Sequence, residues 1–440
     1  MELSNKDNIA YKRLADLFDD GNFTEIDAYA KSKDSEVEVI TAFGYVNGAE
    51  CYAFAQNSAV NNGAVSVAHC AKIIKIYSLA TKTGCPVIGI YNSNGVKLTE
   101  GFEVLSAYSE MLKASSNVSG VVPQISIIDG ACLGTSALVA NMADAVIATK
   151  DSDFYVSAPS DITTTESAEN GTVDILANDF ADAVQEVRKL MVMLPSNNLE
   201  SAPFVTFDYS APSVIADNDS EVSEVINAIT DSDICVEFKK EYGENVKTVL
   251  STVEGKTVGI VGFSGKKLCP CCAYKAESFI KFCDAFNLPI ITIVDTDGIC
   301  DGKESQMLVA LTKLNSAYTS ATCPKISLIT GQAIGSAYLV LAGKGANADF
   351  TLAWDEAVAS PLAVDSAVAF LYNDRLADGE DRATLESEFK KSVGSAYSAA
   401  ACCAVDDIFE PSQTRAKIVN YLNIIGGKRE TTLPRKHTVK

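Results

Sequence analysis

One seventeen-residue phrase occurs twice in this chain. It runs from Pro123 to Val139 as PQISIIDGACLGTSALV and returns from Pro324 to Val340 as PKISLITGQAIGSAYLV, 201 positions on and without a gap. Each copy is a proline, an apolar run rich in β-branched residues, a Gly-x-x-x-Gly step, small residues, and an apolar run at helical spacing. That order predicts a strand feeding a tight turn that opens a helix. The first amides of such a helix lack a carbonyl partner, and the helix dipole adds partial positive charge there. The turn therefore suits an anion or a developing oxyanion, and its glycines, Gly130 and Gly134 or Gly331 and Gly335, let a substrate approach the backbone. A single turn of this kind is common and carries no function by itself. Its recurrence at long range signals a duplicated unit.

The surrounding sequence extends the duplication. VITAFGYV, a turn at Asn47-Gly48 and CYAFAQN read as a hairpin, as do STVEGKTVGIVGF with its turn at Glu254-Gly255. A helix from His69 to Lys82, stopped by Gly84, corresponds to the helix KAESFIKFCDAF. CPVIGIYNSNG (85–95) corresponds to NLPIITIVDTDG (287–298), and ADAVIAT to ADFTLA. Strands alternating with helices imply βα crossovers and a mostly parallel sheet, hence an α/β fold. The first helix is expected to end at Gly21, residues 160–180 to form an exposed loop, 196–213 a linker, 370–395 a charged surface excursion, and the basic tail from Gly426 a peripheral segment.

With 440 residues the chain suits two domains. No apolar run approaches the ~18 residues of a membrane span and MELSNKDN is no secretory signal, so a cytoplasmic location is expected. A formal net charge of −21 argues against nucleic acid, which needs a basic footprint. Thirteen scattered cysteines suit reduced thiols used as small apolar residues. With only His69 and His437, histidine triads and multi-histidine zinc sites have almost no raw material, and no metal is expected. His69 reads as an ordinary, partly buried residue. Cys269-Pro270-Cys271-Cys272 lacks the second ligand pair of a zinc site and reads as small residues in a turn.

Longer phrases bring a family into view. DDGNFTEID (19–27), TKTGCPVIGIYNSNGVKLTEG (81–101), SGVVPQIS (119–126), LPSNN (194–198), KFCDAFNLPIITIVDTDG (281–298), VDDIFEPSQTR (405–415) and KRETTLPRKH (428–437) resemble the carboxyltransferase (β) subunit of biotin-dependent acyl-CoA carboxylases and the related decarboxylases. The resemblance covers nearly the whole chain. It implies two tandem crotonase-like domains, 1–205 on the acyl-CoA side and 206–440 on the biotin side, in a homo-oligomer such as a dimer or trimer of dimers. It implies carboxyl transfer between biotin and a short acyl-CoA by backbone oxyanion holes. Gly95, Val96, Gly134 and Thr135 would serve the thioester, and Ile299, Ser336 and Ala337 the biotin. Gly130 and Gly331 would line the approach, and Leu339 stands where relatives place a substrate-selecting residue. Lys97, with Lys72 and Lys75, is a candidate for the phosphates of coenzyme A, although solvated lysines are the ordinary case. There is no P-loop and no biotin-accepting Ala-Met-Lys-Met, so biotin is expected on a partner carrier protein, with a biotin carboxylase or a membrane decarboxylase subunit as further partners.

The chain departs from the family pattern. Asn94-Gly95 and Gly134-Thr135 replace glycine pairs, Ser336 replaces a glycine before Ala337, Asn92 replaces an aspartate, and the stretch after Pro159 is shortened. Two alternatives follow: a crotonase-type thioester hydrolase or hydratase using Glu100 as its carboxylate, and a catalytically degenerate scaffold subunit.

Overall fold

A computed structural model describes residues 8–431 apart from 34–35, 158–159, 209–214, 216, 232–233, 266 and 346–347. Pro159, His437, part of the expected linker and the end of the basic tail therefore lie outside the described residues. The chain divides into two compact units, one of residues 1–203 with 239–241, the other of 204–238 with 242–440.

The first unit is built on β1 (Phe23–Ile26), β2 (Val39–Val46), β3 (Ala49–Gln56), β4 (Val87–Ser93), β5 (Gln124–Leu133), β6 (Ala145–Thr149), β7 (Asp153–Tyr155) and β8 (Ile175–Ala177). Its sheet runs β1-β2-β3-β4-β5-β6-β8, with β7 paired to β5. The first three strands are antiparallel and the rest parallel. The second unit repeats the scheme with β9 (Cys235–Phe238), β10 (Val246–Val253), β11 (Lys256–Phe263), β12 (Ile290–Thr296), β13 (Lys325–Ile334), β14 (Phe350–Trp354), β15 (Val358–Ser360) and β16 (Asp407–Phe409). They are ordered β9-β10-β11-β12-β13-β14-β16, with β15 on β13. Register is duplicated too: Val87 lies opposite Gln124, and Ile290 opposite Lys325.

Local chemistry explains the elements. Asn47 and Gly48 take φ of 50° and 75°, and Glu254 and Gly255 take 48° and 73°, the left-handed pair that a two-residue hairpin turn requires. Helix Val67–Thr83 starts on Ser66, whose hydroxyl accepts the His69 amide, and ends on left-handed Gly84. It packs against helix Phe102–Val118, as helix Pro270–Ala285 packs against Glu304–Ser320. The first unit's core joins Ile73, Ile76 and Tyr77 of one helix to Val87 and Tyr91 of β4.

A polar brace recurs as well. Asp19 accepts the amides of Asn47 (3.1 Å) and Gly48 (2.9 Å) and pairs with Arg188 at 2.8 Å. Asp231 accepts those of Glu254 (3.2 Å) and Gly255 (2.9 Å) and pairs with Arg415 at 2.7 Å. Each arginine also donates to a helix-end carbonyl, Leu17 or Ile229.

Three sequence expectations are corrected. The first helix ends at Leu17, followed by a separate 3₁₀ turn Asp19–Gly21. Residues 160–180 are not merely an exposed loop. They hold helix Thr164–Glu169, fixed by a Thr163/Glu166 capping box, and β8. Residues 370–395 are not simply a surface excursion: helices Val364–Leu371 and Arg382–Ser392 close over Val368, Leu385 and Phe389. In both stretches the polar residues dominate the composition while a few apolar ones make the packing.

Candidate active site

In the first unit the chain leaving β4 lies beside the turn after β5. A Cβ added at Gly95 would sit 3.5 Å from the Leu133 carbonyl oxygen. The Gly95 amide donates to Ser93 Oγ at 3.1 Å. The Gly95 carbonyl accepts the Val65 amide at 2.7 Å, and the Lys97 amide donates to the Val65 carbonyl at 2.9 Å. These bonds step over Val96, whose N–H has no partner among the described residues. Gly134 has φ of 63°, and its amide donates to the Tyr155 carbonyl at 3.0 Å. Helix Thr135–Ala140 begins at the next residue, so the amides of Thr135 and Ser136 have no acceptor within the helix.

The second unit builds the same cradle. Leu268 bonds the Gly298 carbonyl (2.8 Å) and the Cys300 amide (3.0 Å), stepping over Ile299. The Gly298 amide reaches Thr296 Oγ1 at 3.4 Å. Gly335, φ 55°, donates to the Ser360 carbonyl at 2.8 Å, which leaves Ser336 and Ala337 to open the following turn. Each cradle thus offers one amide from the loop and a pair from a helix start: Val96 with Thr135 and Ser136, Ile299 with Ser336 and Ala337. Pre-set main-chain donors at a helix start match an oxyanion.

This geometry revises the expected residues. Gly95 and Gly134 do not contribute their amides, because Ser93 and Tyr155 already accept them. Their φ of 100° and 63° suits residues without a Cβ. Gly130 and Gly331 are not open lining positions either. A Cβ on Gly130 would come 2.6 Å from Asn92 Nδ2, and one on Gly331 would come 2.1 Å from Asp295 Oδ1. They make room for the side chains at the ends of β4 and β12. Asp295 Oδ1 accepts the Gln332 amide at 2.8 Å, while burial raises the carboxyl above its ordinary range.

Lys97, expected to meet substrate, is buried. Its Nζ lies 2.8 Å from Ser32 Oγ and 3.1 Å from Glu38 Oε1. Lys72 is buried against the Val39 carbonyl, and Lys75 pairs with Asp27. Glu100 is committed as well: it accepts the Val67 amide at 2.6 Å and Ser32 Oγ at 3.1 Å. Leu339 is 61% exposed, like its counterpart Leu138 at 47%. His69 is wholly buried, not partly: it faces Gln56 Nε2 at 3.4 Å, and burial with nearby Lys72 lowers its pKa to about 3.

The sequence reading missed the supports. Ser93 and Thr296 each hold the glycine two residues on, a hydroxyl-x-Gly step visible in both copies. Ser136 Oγ lies 3.3 Å from Ser93 Oγ and 2.8 Å from Tyr108 OH, a buried hydroxyl chain behind the first cradle. No local pattern announced it, because Tyr108 comes from a separate helix.

A family model described as "Carboxyl transferase domain" matches residues 2–439. Methylmalonyl-CoA decarboxylase subunit alpha of Propionigenium modestum is 32% identical, with 97% of this chain and 92% of that protein covered. Propionyl-CoA carboxylase beta chain of Saccharopolyspora erythraea is 31% identical, with 97% and 89% covered. Among solved structures, transcarboxylase 12S with hydrolysed methylmalonyl-coenzyme A bound superposes with a TM-score of 0.92 at 30% identity, covering 98% of this chain and 92% of that one. That structure is described as a hexamer assembly and a multienzyme core.

Proposed function

This chain belongs to the carboxyl transferase family, and from that premise we propose that it moves a carboxyl group between biotin and a short acyl-CoA. The observation that carries the reading is the pair of matched cradles, one per unit, each with main-chain N–H groups at a loop and a helix start set by the same hydrogen-bond scheme. The first serves the acyl-CoA. Val96 and Thr135 donate to the thioester oxygen as negative charge builds on it, so that the α-carbon proton can leave. The second serves biotin, with Ile299, Ser336 and Ala337 donating to the ureido oxygen. Biotin, when bound, brings the carboxyl group and a ureido nitrogen able to exchange the proton. The chain itself then needs no reactive side chain. Each donor contributes about 3 kcal/mol to the transition state, because fixed amides need no reorganisation.

The relatives' names support methylmalonyl-CoA or propionyl-CoA as the thioester, and the family supports biotin on a carrier protein. Direction follows from the partner subunits. The hydrolase or hydratase alternative is disfavoured because Glu100, its carboxylate, is held by Val67 and Ser32. The degenerate-scaffold alternative is disfavoured because the substituted glycines leave both cradles in place.

The test is to incubate the purified chain with methylmalonyl-CoA and free biotin and follow conversion to propionyl-CoA. Turnover that depends on biotin is expected. Hydrolysis to free coenzyme A, or binding without turnover for every short malonyl-type thioester, would overturn the reading.

A further inference from the structure

The C-x-x-C stretch at 269–272 is not a simple turn. Cys269 caps helix Pro270–Ala285, and Pro270 takes the first helical position, where a missing N–H costs nothing. The sulfurs of Cys269 and Cys272 are 2.9 Å apart, and the Cys272 amide donates to Cys269 Sγ at 3.3 Å. Cys269 is partly exposed and Cys272 is 1% exposed. The Tyr242–Gly243 loop closes against the turn, since a Cβ on Gly243 would lie 3.3 Å from the Cys271 carbonyl carbon. Within this pair, the hydrogen bond from Cys272 pulls the Cys269 thiol below its ordinary range, aided by the helix amides and Lys303, while Cys272 is pushed up. By contrast Cys51, Cys132 and Cys283 are fully buried, and burial raises their thiols.

We propose that Cys269 and Cys272 form a redox-active dithiol whose substrate class is a disulfide, with Cys269 as the attacking sulfur and Cys272 as the resolving one. The Cys269 thiolate attacks one sulfur of the incoming disulfide and expels the first thiolate, which takes up a proton. Cys272 then gives up its proton and attacks Cys269, expelling the second thiol. Two protein thiols are oxidised by two electrons, and one disulfide is reduced to two thiols. A partly exposed thiolate at a helix start beside a buried thiol is the arrangement that suits thiol–disulfide exchange.

The pair is also wired to the second cradle. Leu268, immediately before Cys269, is the residue that bonds both sides of Ile299. Closing the disulfide moves the start of this helix and, on the reading that Ile299 serves biotin, lowers carboxyl transfer.

The reduced full-length chain is incubated with glutathione disulfide, remaining thiols are alkylated, and peptides are mapped by mass spectrometry. Protection of Cys269 and Cys272 together, with loss of two hydrogens from their peptide, is expected, as is a glutathione adduct on Cys269 in Cys272→Ser. Full alkylation of both residues across a glutathione series, or an adduct on Cys271 instead, would overturn the dithiol. Oxidised wild type should lose transfer activity at least about tenfold and regain it with dithiothreitol, while Cys269→Ser is indifferent to oxidant. If the disulfide forms and activity holds, the link to Ile299 is overturned. If no state has activity, the carboxyl-transfer reading fails while the mass measurement still decides the dithiol.

Discussion

Thr135 and Ser336 are the first residues after glycines of positive φ, and on the proposed reading each acts through its N–H rather than its side chain. Proline is accepted at the first helical position, so Thr135→Pro deletes one donor with little cost to folding. Its kcat is expected to fall ~10²–10³-fold in the methylmalonyl-CoA assay with an unchanged melting temperature. Thr135→Ala, which keeps the amide, should stay close to wild type. A side-chain role for Thr135 would reverse that order. His69 gives a pH prediction. Its pKa is about 3 in the folded chain against 6.5 unfolded, so the unfolded state binds the extra proton between those values. Stability from this group is therefore complete above pH 6.5 and is lost as pH falls. The advantage of wild type over His69→Gln should shrink by ~1.4 kcal/mol per pH unit below that point, measured by urea unfolding. Asp144, raised to about 7 by burial, works in the opposite sense over an overlapping window and is common to both proteins, so the difference isolates His69.

At the scale of elements, strand ends and turns carry the site. β12 ends with Asp295 tucked over Gly331, and no room exists for a methyl there. Gly331→Ala is expected to cost ~1–3 kcal/mol by overpacking. Asp295→Ala in the same chain should recover part of that loss, because the clashing carboxylate is gone. Additive losses in chemical unfolding would show that the contact is not the cause. Helix Thr164–Glu169 depends on its capping box, and Thr163→Ala should cost ~1 kcal/mol. The paired hairpins and parallel strands were legible because apolar alternation and Asn-Gly or Glu-Gly turns are local signals. The helices at 164–169 and 364–392 were not, because their stability comes from a cap and from a few distant apolar contacts within polar sequence.

At the scale of the whole molecule, the chain is a duplication with one cradle in each unit. Thr135→Pro and Ser336→Pro, one in each unit, should each lower biotin-dependent turnover of methylmalonyl-CoA ~10²–10³-fold, since the proposed transfer uses both cradles. A variant that keeps the wild-type kcat would show that the cradle in its unit is not used. Among the described residues no helix is long and apolar enough to cross a membrane.

Sequence alone determined the duplication, the order of strands and helices, the hairpin turns and the family, because these rest on local periodicity and on long shared phrases. Which amides are already engaged was decided only by the tertiary structure: Tyr155 and Ser360, from strands that follow each turn, accept the N–H groups of Gly134 and Gly335. Burial likewise took Lys97 and Glu100 out of the site, since their partners Ser32, Glu38 and Val67 lie far from both the turn and the phrase that named them. An amide's direction and a charge's partner depend on chain segments brought together by folding, and no local pattern encodes them.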